Sequence, residues 1–429
     1  MTTPPDRSAG FFYGWVVTFC AFAALLVSNG LVLGGISVFD EALLAEFGWD
    51  VGPLKFRDLL TFVVAGFGAA GAGALADKYG VRPLIVAGAL FLSAGFFLYT
   101  RVDSLTVVYA AHVLFGLALA CAGLVINVML VGRWFAVRRG TAIGLALVGT
   151  SLGNMVFPPL NTGLLTSIGW RAAMGWLALL PLVLIPLALF VVKEWPADKG
   201  TYPDGRPPAD PGPGARGGAG PGGMDFADAL RSRNFWALST VAFATFYAIL
   251  AIASHLFLHF RGQGLDPATA AAGLSTLFGL GLVGKFVFGF LADRLPHKAV
   301  FLGNLAVMLA GAVLLATVNP ATMWTAVVLV GLGWGGLYTL LQLLCVESFG
   351  LKAVGKILGT ISIVDAIGGG LGIWLTGVLF DATGSYDLGF GIIAGLVGLA
   401  LLAALAVDTR REVDLDDALP LAETAAPTP

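Results

Sequence analysis

The feature that most limits what this chain can fold into is length without charge. Runs of roughly 18 or more mostly apolar residues recur along it, each long enough in α-helix to span the roughly 30 Å hydrocarbon layer of a bilayer. Twelve are expected, over residues 14–38, 53–76, 84–101, 105–131, 140–165, 172–193, 235–259, 268–291, 299–317, 322–346, 354–380 and 388–407. The first is too long for a signal-peptide core and has no cleavage site after it, so it reads as a retained helix. Composition agrees: 58% of residues are hydrophobic and 12% charged, against about 45–50% and about 25% in soluble domains. The mean hydropathy is +0.89. A net charge of -2 gives nucleic acid nothing to bind.

Basic residues set the orientation. With the N-terminus inside, the cytoplasmic segments hold 18 Lys and Arg and the outer segments 5, namely Lys55, Arg57, Arg101, Arg171 and Arg261. Six of the 18 fall in one loop, and the bias survives without them. Both termini are therefore expected in the cytoplasm.

The stretch PADKGTYPDGRPPADPGPGARGGAGPGG has too much Pro and Gly to form a packed core and reads as a flexible linker. It divides the chain into a six-helix bundle over 1–195, a cytoplasmic linker over 196–232, a second six-helix bundle over 233–409 and an acidic, disordered tail over 410–429. The halves echo each other. GALADKYGVRP holds Gly73, Asp77, Lys78, Gly80 and Arg82; GFLADRLPHKA, 216 residues later, holds Gly289, Asp293, Arg294 and Lys298. A motif repeated at the same end of the second helix of each half signals a duplication, as in many secondary transporters.

These residues carry a resemblance. Gly73, Asp77, Lys78, Gly80 and Arg82 match the loop motif of the major facilitator superfamily, and the helix count and central linker extend the likeness over nearly the whole chain. The resemblance implies an all-α membrane protein of 12 transmembrane helices in two pseudo-symmetric six-helix bundles, multi-pass in the cell (inner) membrane. It also implies a gating role for Asp77 and Arg82, whose alternative is a tight charged turn that enforces topology. Within the superfamily, RWFAVRRGTAIGLALVGTSLG resembles the fifth helix of monocarboxylate transporters through Trp134, Phe135, Arg138, Arg139, Gly140, Ala142, Gly144 and Ala146. FFYGWVV resembles the start of bacterial members, including oxalate–formate exchangers, although Tyr13 precedes Gly14 where the fuller motif has an acidic residue. The drug-antiporter spacing of Gly140, Gly149 and Gly153 is present, but Asn154 replaces its proline. His112 stands in the fourth helix where proton-coupled relatives often have Arg.

One segment poses a sharper question. GLGLVGKFVFG nearly spells a phosphate-binding loop, but Phe286 follows Lys285 where the motif requires Ser or Thr, and the setting is a helix of bilayer length. Its glycines read instead as sites of close helix packing. Lys285 lies 8 residues before Asp293, about 12 Å from the helix end and near mid-membrane. A lysine there costs at least about 2.5–3.5 kcal/mol and needs a polar cavity or counter-ion. The resembled transporters carry a basic residue at this place, an arginine that is taken to bind the substrate carboxylate. A lysine offers a point charge in place of a two-pronged fork.

Asp365 lies at similar depth, about 13 Å beyond Lys356, and the family fold implies that the eighth and eleventh helices adjoin. Two readings stand: a static neutralising pair, or a pair that substrate opens, leaving Asp365 to take a proton. Asn127, Tyr338 and Gln342 are further candidates for substrate binding, each equally able to bond a neighbouring helix. His255 and His259 read as interfacial, since a metal would need a third ligand. Lys55, Arg57 and Asp58 read as a solvated outer rim or as attractors of anions into an outward-open vestibule. Cys20, Cys121 and Cys345 read as small buried side chains.

The expected function is a secondary transporter of small organic anions, a proton-coupled monocarboxylate (lactate- or pyruvate-like) symporter working by alternating access. The alternatives are an organic-anion exchanger of the oxalate/formate type or an H+-coupled efflux antiporter. A membrane enzyme or sensor would need a catalytic set, metal cluster or signalling domain, none of which is in the sequence. No cofactor, metal, nucleic acid or obligatory protein partner is expected.

Overall fold

A computed structural model of the protein describes residues 11–205, 223–317, 319–350 and 352–408. The tail expected over 410–429 and residues 206–222 of the expected linker lie outside the described residues. All of the long elements are helical. They are α1 (Gly14–Phe47), α2 (Val51–Tyr79), α3 (Val81–Tyr99), α4 (Leu105–Trp134), α5 (Arg139–Ile168), α6 (Trp170–Val191), α7 (Arg233–Gly262), α8 (Pro267–Ala292), α9 (His297–Ala316), α10 (Pro320–Phe349), α11 (Val354–Thr383) and α12 (Asp387–Leu405). Among the described residues, 11 of these are long and apolar enough to cross a membrane. The exception is α2, which bends by 44° between Val51–Ala69 and Gly71–Tyr79 and makes a twelfth span if its two parts are taken together.

Most helices run a few residues past their apolar cores, because helical hydrogen bonding does not stop where hydropathy does. The largest extension is α1. It continues beyond residue 38 through a π-turn at Gly30–Gly35 and a 3-10 turn at Ile36–Phe39 into Asp40–Phe47, and ends where Gly48 turns left-handed at φ 67°. Helix starts carry the usual signals: Ser232, Asp266 and Asn319 each accept amides of the following turn, with Pro267 and Pro320 at the first helical position.

The packing repeats between the halves. α1 lies on α5 as α7 lies on α11; α2 lies on α4 as α8 lies on α10; α3 meets α6 as α9 meets α12. Glycine allows the closest of these seams. A Cβ at Gly153 would stand 2.3 Å from the Leu26 carbonyl oxygen, and one at Gly372 2.4 Å from that of Tyr247. In lipid, where apolar side chains gain little by meeting one another, such backbone contact is a main source of helix association. Between the halves the principal contacts are α2 with α11 and α5 with α8. Large exposed apolar side chains, including Phe67, Phe97, Trp176, Phe190, Trp236 and Phe286, form the surface that lipid would cover.

The described parts of the 196–232 stretch are ordered against the bundle. Asp204 accepts the amides of Ala136 and Val137, both at 2.7 Å, in the α4–α5 connection. Met224 donates its amide to Phe349 O at 2.8 Å, in the equivalent α10–α11 connection. Backbone amides left open in the α4–α5 connection hold one end of the stretch, and a backbone carbonyl at the end of α10 holds the other.

Candidate functional site

The glycines around Lys285 set its place. A Cβ at Gly284 would lie 2.3 Å from Leu332 O, and one at Gly335 2.2 Å from Gly281 O, so α8 and α10 touch backbone to backbone. Lys285 projects half-buried beside this seam. Its Nζ donates to Ser151 Oγ at 2.7 Å. Ser151 is on α5, so the bond joins the two sets of six helices near mid-membrane. Among the described residues no carboxylate stands within 4.0 Å of the ammonium.

The expected adjacency of the eighth and eleventh helices is therefore corrected. α8 rests mainly on α10 and α5, whereas α11 rests mainly on α7 and α2. Depth along a helix axis places Lys285 and Asp365 at one level but says nothing about the direction in which each faces. Asp365 is 7% exposed and has no cation at salt-bridge distance among the described residues. Tyr338, on α10, lies close enough to feel its charge and stands beside the side chains of Gln342 and Ser362. Tyr338, Gln342 and Asp365 thus form one polar group along α10 and α11. Ser362 belongs with them and was missed, although it lies one turn before Asp365 on the same helical face.

Asn127 has another task. α4 breaks at Gly123 into Leu105–Ala122 and Leu124–Trp134. The fully buried Asn127 donates its Nδ2 to the freed carbonyls of Ala122, at 2.8 Å, and Gly123, at 2.9 Å. In this conformation its donors serve its own helix.

A second polar group fills the end of the bundle where α1 finishes and α2 begins. Lys55, Arg57 and Asp40 are 0% exposed and Asp58 7%, which corrects the expectation of a solvated rim. Asp40 bridges both cations, accepting from Lys55 through Oδ2 and from Arg57 through Oδ1. Lys55 also donates to Ser254 O at 2.6 Å and Ser254 Oγ at 2.7 Å, on α7. Asp58 lies 3.7 Å from Arg57 Nε and 3.8 Å from His112 Nδ1. His112 engages Thr61 Oγ1 and the Tyr99 hydroxyl, both at 2.8 Å. Two lysine or arginine charges face two aspartates, so neutral His112 leaves the group balanced, as burial demands. His255 and His259 are buried as well, against their interfacial reading: His255 engages Ile373 O at 2.8 Å and the Tyr386 hydroxyl at 3.2 Å. Among the described residues there is no cluster of three metal-binding side chains.

Other links between α1–α6 and α7–α12 gather at this same end. Arg261 pairs with Glu41 at 2.6 Å. Asp381 accepts the amides of Val51, at 2.8 Å, and Gly52, at 2.6 Å. At the opposite end, marked by Asp77 and Asp293, no hydrogen bond joins the two sets among the described residues. The motif residues there bond to helix ends and to neighbouring charges rather than to one another. Arg82 donates to the carbonyls of Ala188, at 3.1 Å, and Leu189 at the end of α6. Asp77 is mostly exposed and 3.9 Å from Arg133, which holds Glu194 at 3.0 Å. Glu194 lies against Gly80, whose φ of 90° and absent Cβ make room for it. Lys78 sits over Tyr79 and Arg294 over Phe290, while Gly73 and Gly289 face open space.

Comparison with known proteins adds a frame. The family described as the Major Facilitator Superfamily matches residues 15–373. Monocarboxylate transporter 13 of Bos taurus is 30% identical over 405 residues, covering 92% of this chain and 88% of that protein. The oxalate:formate antiporter of Oxalobacter formigenes is 28% identical over 362 residues, covering 80% of this chain and 82% of that protein. A solved bacterial homologue of the human lysosomal transporter Spinster, inward-facing and unoccupied, superposes with a TM-score of 0.70 at 16% identity, over 93% of this chain and 98% of that one. That last likeness is one of fold.

Proposed function

Because the chain belongs to the Major Facilitator Superfamily, we propose that it is a secondary transporter of small organic anions, with monocarboxylates of the lactate or pyruvate kind as substrates and protons as the coupled ion. The observation that carries this reading is the ammonium of Lys285: it is held by the neutral Ser151 hydroxyl at 2.7 Å, with no carboxylate at salt-bridge distance among the described residues. A buried cation without a counter-ion is a site for a mobile anion. Tyr338 and Gln342 supply hydrogen bonds to that anion from α10, beside the α8 seam. Asn127 joins them only when it releases the α4 carbonyls. Asp365, buried with no cation at salt-bridge distance among the described residues, is the proton acceptor in this reading.

In the same reading the protein spans the cell (inner) membrane 12 times with both termini cytoplasmic. Residues 1–195 and 233–409 move as two bundles about the central site, and no other protein is required. The Asp77 end is the one taken to open in this reading, and the halves share no hydrogen bond there among the described residues. The Gly73–Arg82 and Gly289–Arg294 segments act as hinges of that end.

A second reading is an organic-anion exchanger, favoured by the likeness to the oxalate:formate antiporter; an H+-coupled efflux antiporter differs from the symporter in moving proton and anion in opposite directions. Uptake of labelled lactate, pyruvate, oxalate and formate into proteoliposomes, with and without an inward pH gradient, separates them. Symport requires uptake that grows with the gradient, and exchange requires counterflow that ignores it. Unimpaired transport by Lys285→Ala overturns the assignment of the central site.

A further inference from the structure

We propose that Lys55 and Arg57 form a second carboxylate site at the outer mouth, which the protein's own Asp40 occupies while that mouth is closed. This inference rests on the reading of the protein as an anion transporter. It concerns a site about 20 Å from Lys285 along the helix axes.

The two cations are built as an anion receptor. Both are fully buried, both are on the first turns of α2, and both direct a donor at the same carboxylate, one to each oxygen of Asp40. Arg57 has donors to spare: among the described residues its Nε and Nη1 make no hydrogen bond, and a carboxylate oxygen of Asp58 stands 3.7 Å from Nε. Lys55 has three donor positions, and two of its three acceptors belong to Ser254 of α7. Those two are lost whenever α7 moves away from α2. An ammonium so exposed needs new acceptors in a site that already excludes most water, and a carboxylate supplies two.

The position suits a first docking point. Directly beneath the group lies a cavity of about 10 Å³, lined by Ser37, Asp58, Thr61, Ser254 and apolar residues of α1, α7 and α11. It holds one water at most. It lies between helices of both halves, on the route that separation of α7 and α11 from α1 and α2 would widen. Asp40 is on the last part of α1, beyond the π-turn at Gly30–Gly35, so the internal carboxylate sits on a segment able to shift against α2.

A latch and a docking site make opposite predictions. If Lys55 only latches the mouth shut, its removal favours the outward-open state and leaves external substrate affinity equal or tighter. If Lys55 also receives the substrate, its removal weakens external affinity. The test uses right-side-out and everted vesicles holding the full chain, and the best transported of lactate, pyruvate, oxalate and formate. Lys55→Met should raise KM at the outer face about tenfold, the effect of one charged hydrogen bond, and change KM at the inner face less than about twofold. Lys55→Arg should restore the outer value. Ser254→Ala removes one of the three acceptors of Lys55 and keeps the lysine, and should lower the outer KM. An outer KM unchanged or lowered in Lys55→Met, an equal rise at both faces, or an outer KM not lowered in Ser254→Ala overturns the outer site. No transport of any of the four anions by the wild type overturns the transport reading, and this inference with it.

Discussion

Arg82 and Lys298, 216 positions apart, close the last helix of their respective halves in the same manner. Arg82 donates to the carbonyls of Ala188 and Leu189 at the end of α6. Lys298 donates to those of Leu405, at 3.0 Å, and Val407, at 2.6 Å, at the end of α12. Cations at helix C-termini satisfy orphan carbonyls and oppose the helix dipole. Arg82→Ala and Lys298→Ala should each cost about 1–2 kcal/mol and lower the Tm of the detergent-solubilised protein by a few degrees. Because the sites are distant, the double variant should show the sum; a change confined to one of them would break the equivalence.

In the proposed central site, Ser151 holds the ammonium of Lys285 that substrate would take. Ser151→Ala should lower KM for the transported anion about threefold to tenfold, since the ammonium loses a hydrogen bond of the charged class. Turnover should slow, because the substrate is released less readily. Lys285→Arg should keep measurable transport and Lys285→Ala should not. Initial-rate measurements in proteoliposomes read each of these.

Asp365→Asn removes the only acid in the α10–α11 polar group without changing its shape. In the proton-coupled reading this variant retains counterflow of labelled anion but loses its response to an inward pH gradient. Retention of gradient-driven accumulation would move the proton to another residue.

Among the described residues Asp40 is the one hydrogen-bond acceptor of the Arg57 side chain and one of three for Lys55. Asp40→Asn should therefore destabilise by about 3–5 kcal/mol, the usual result of stranding a buried cation. Pairing it with Lys55→Met should recover part of the loss. Thermal unfolding followed by tryptophan fluorescence distinguishes the two variants.

The arm that carries Asp204 should detach in acid. Burial alone would raise the Asp204 carboxyl, but the amides of Val137, Ala136 and Arg138 outweigh it and hold it below the usual carboxylate range. A depressed carboxyl contributes stability above its unfolded pKa, and that contribution is lost as pH falls through the folded one. Hydrogen exchange of residues 136–138, corrected for its intrinsic pH dependence, should stay slow near neutrality and accelerate only below about pH 4. Asp204→Asn should show the fast rate throughout.

Much of the fold was legible because lipid imposes one simple rule, length without charge. Each expected span overlaps an observed helix, and the duplicated motif led to the matching positions of Arg82 and Lys298. What hydropathy could not give was direction around each helix axis. Lys285 and Asp365 share a depth, yet one faces α5 and the other the α10–α11 group. For the same reason Lys55, Arg57 and Asp58, close to a helix start, looked solvent-facing when they are turned inward beneath Asp40. Asn127 looked like a ligand because its role depends on a break at Gly123 that has no proline to announce it. Ser151 carried no signal of its own, since one hydroxyl on a glycine-rich helix is unremarkable until its partner is known.

The seam between α8 and α10 has a consequence for how such a site works. Gly284 and Gly335 bring the two backbones together, with the Trp334 and Leu280 side chains flanking them at Gly281 and Gly331. So close a seam leaves the two helices little freedom to slide, and in the proposed cycle Lys285 travels with Tyr338 and Gln342 of α10. Ser151, on α5, is the neighbour that comes and goes. The binding site is divided by stiffness: an instrument of fixed calibration on one wall, and on the other a surface that alternately covers and reveals it.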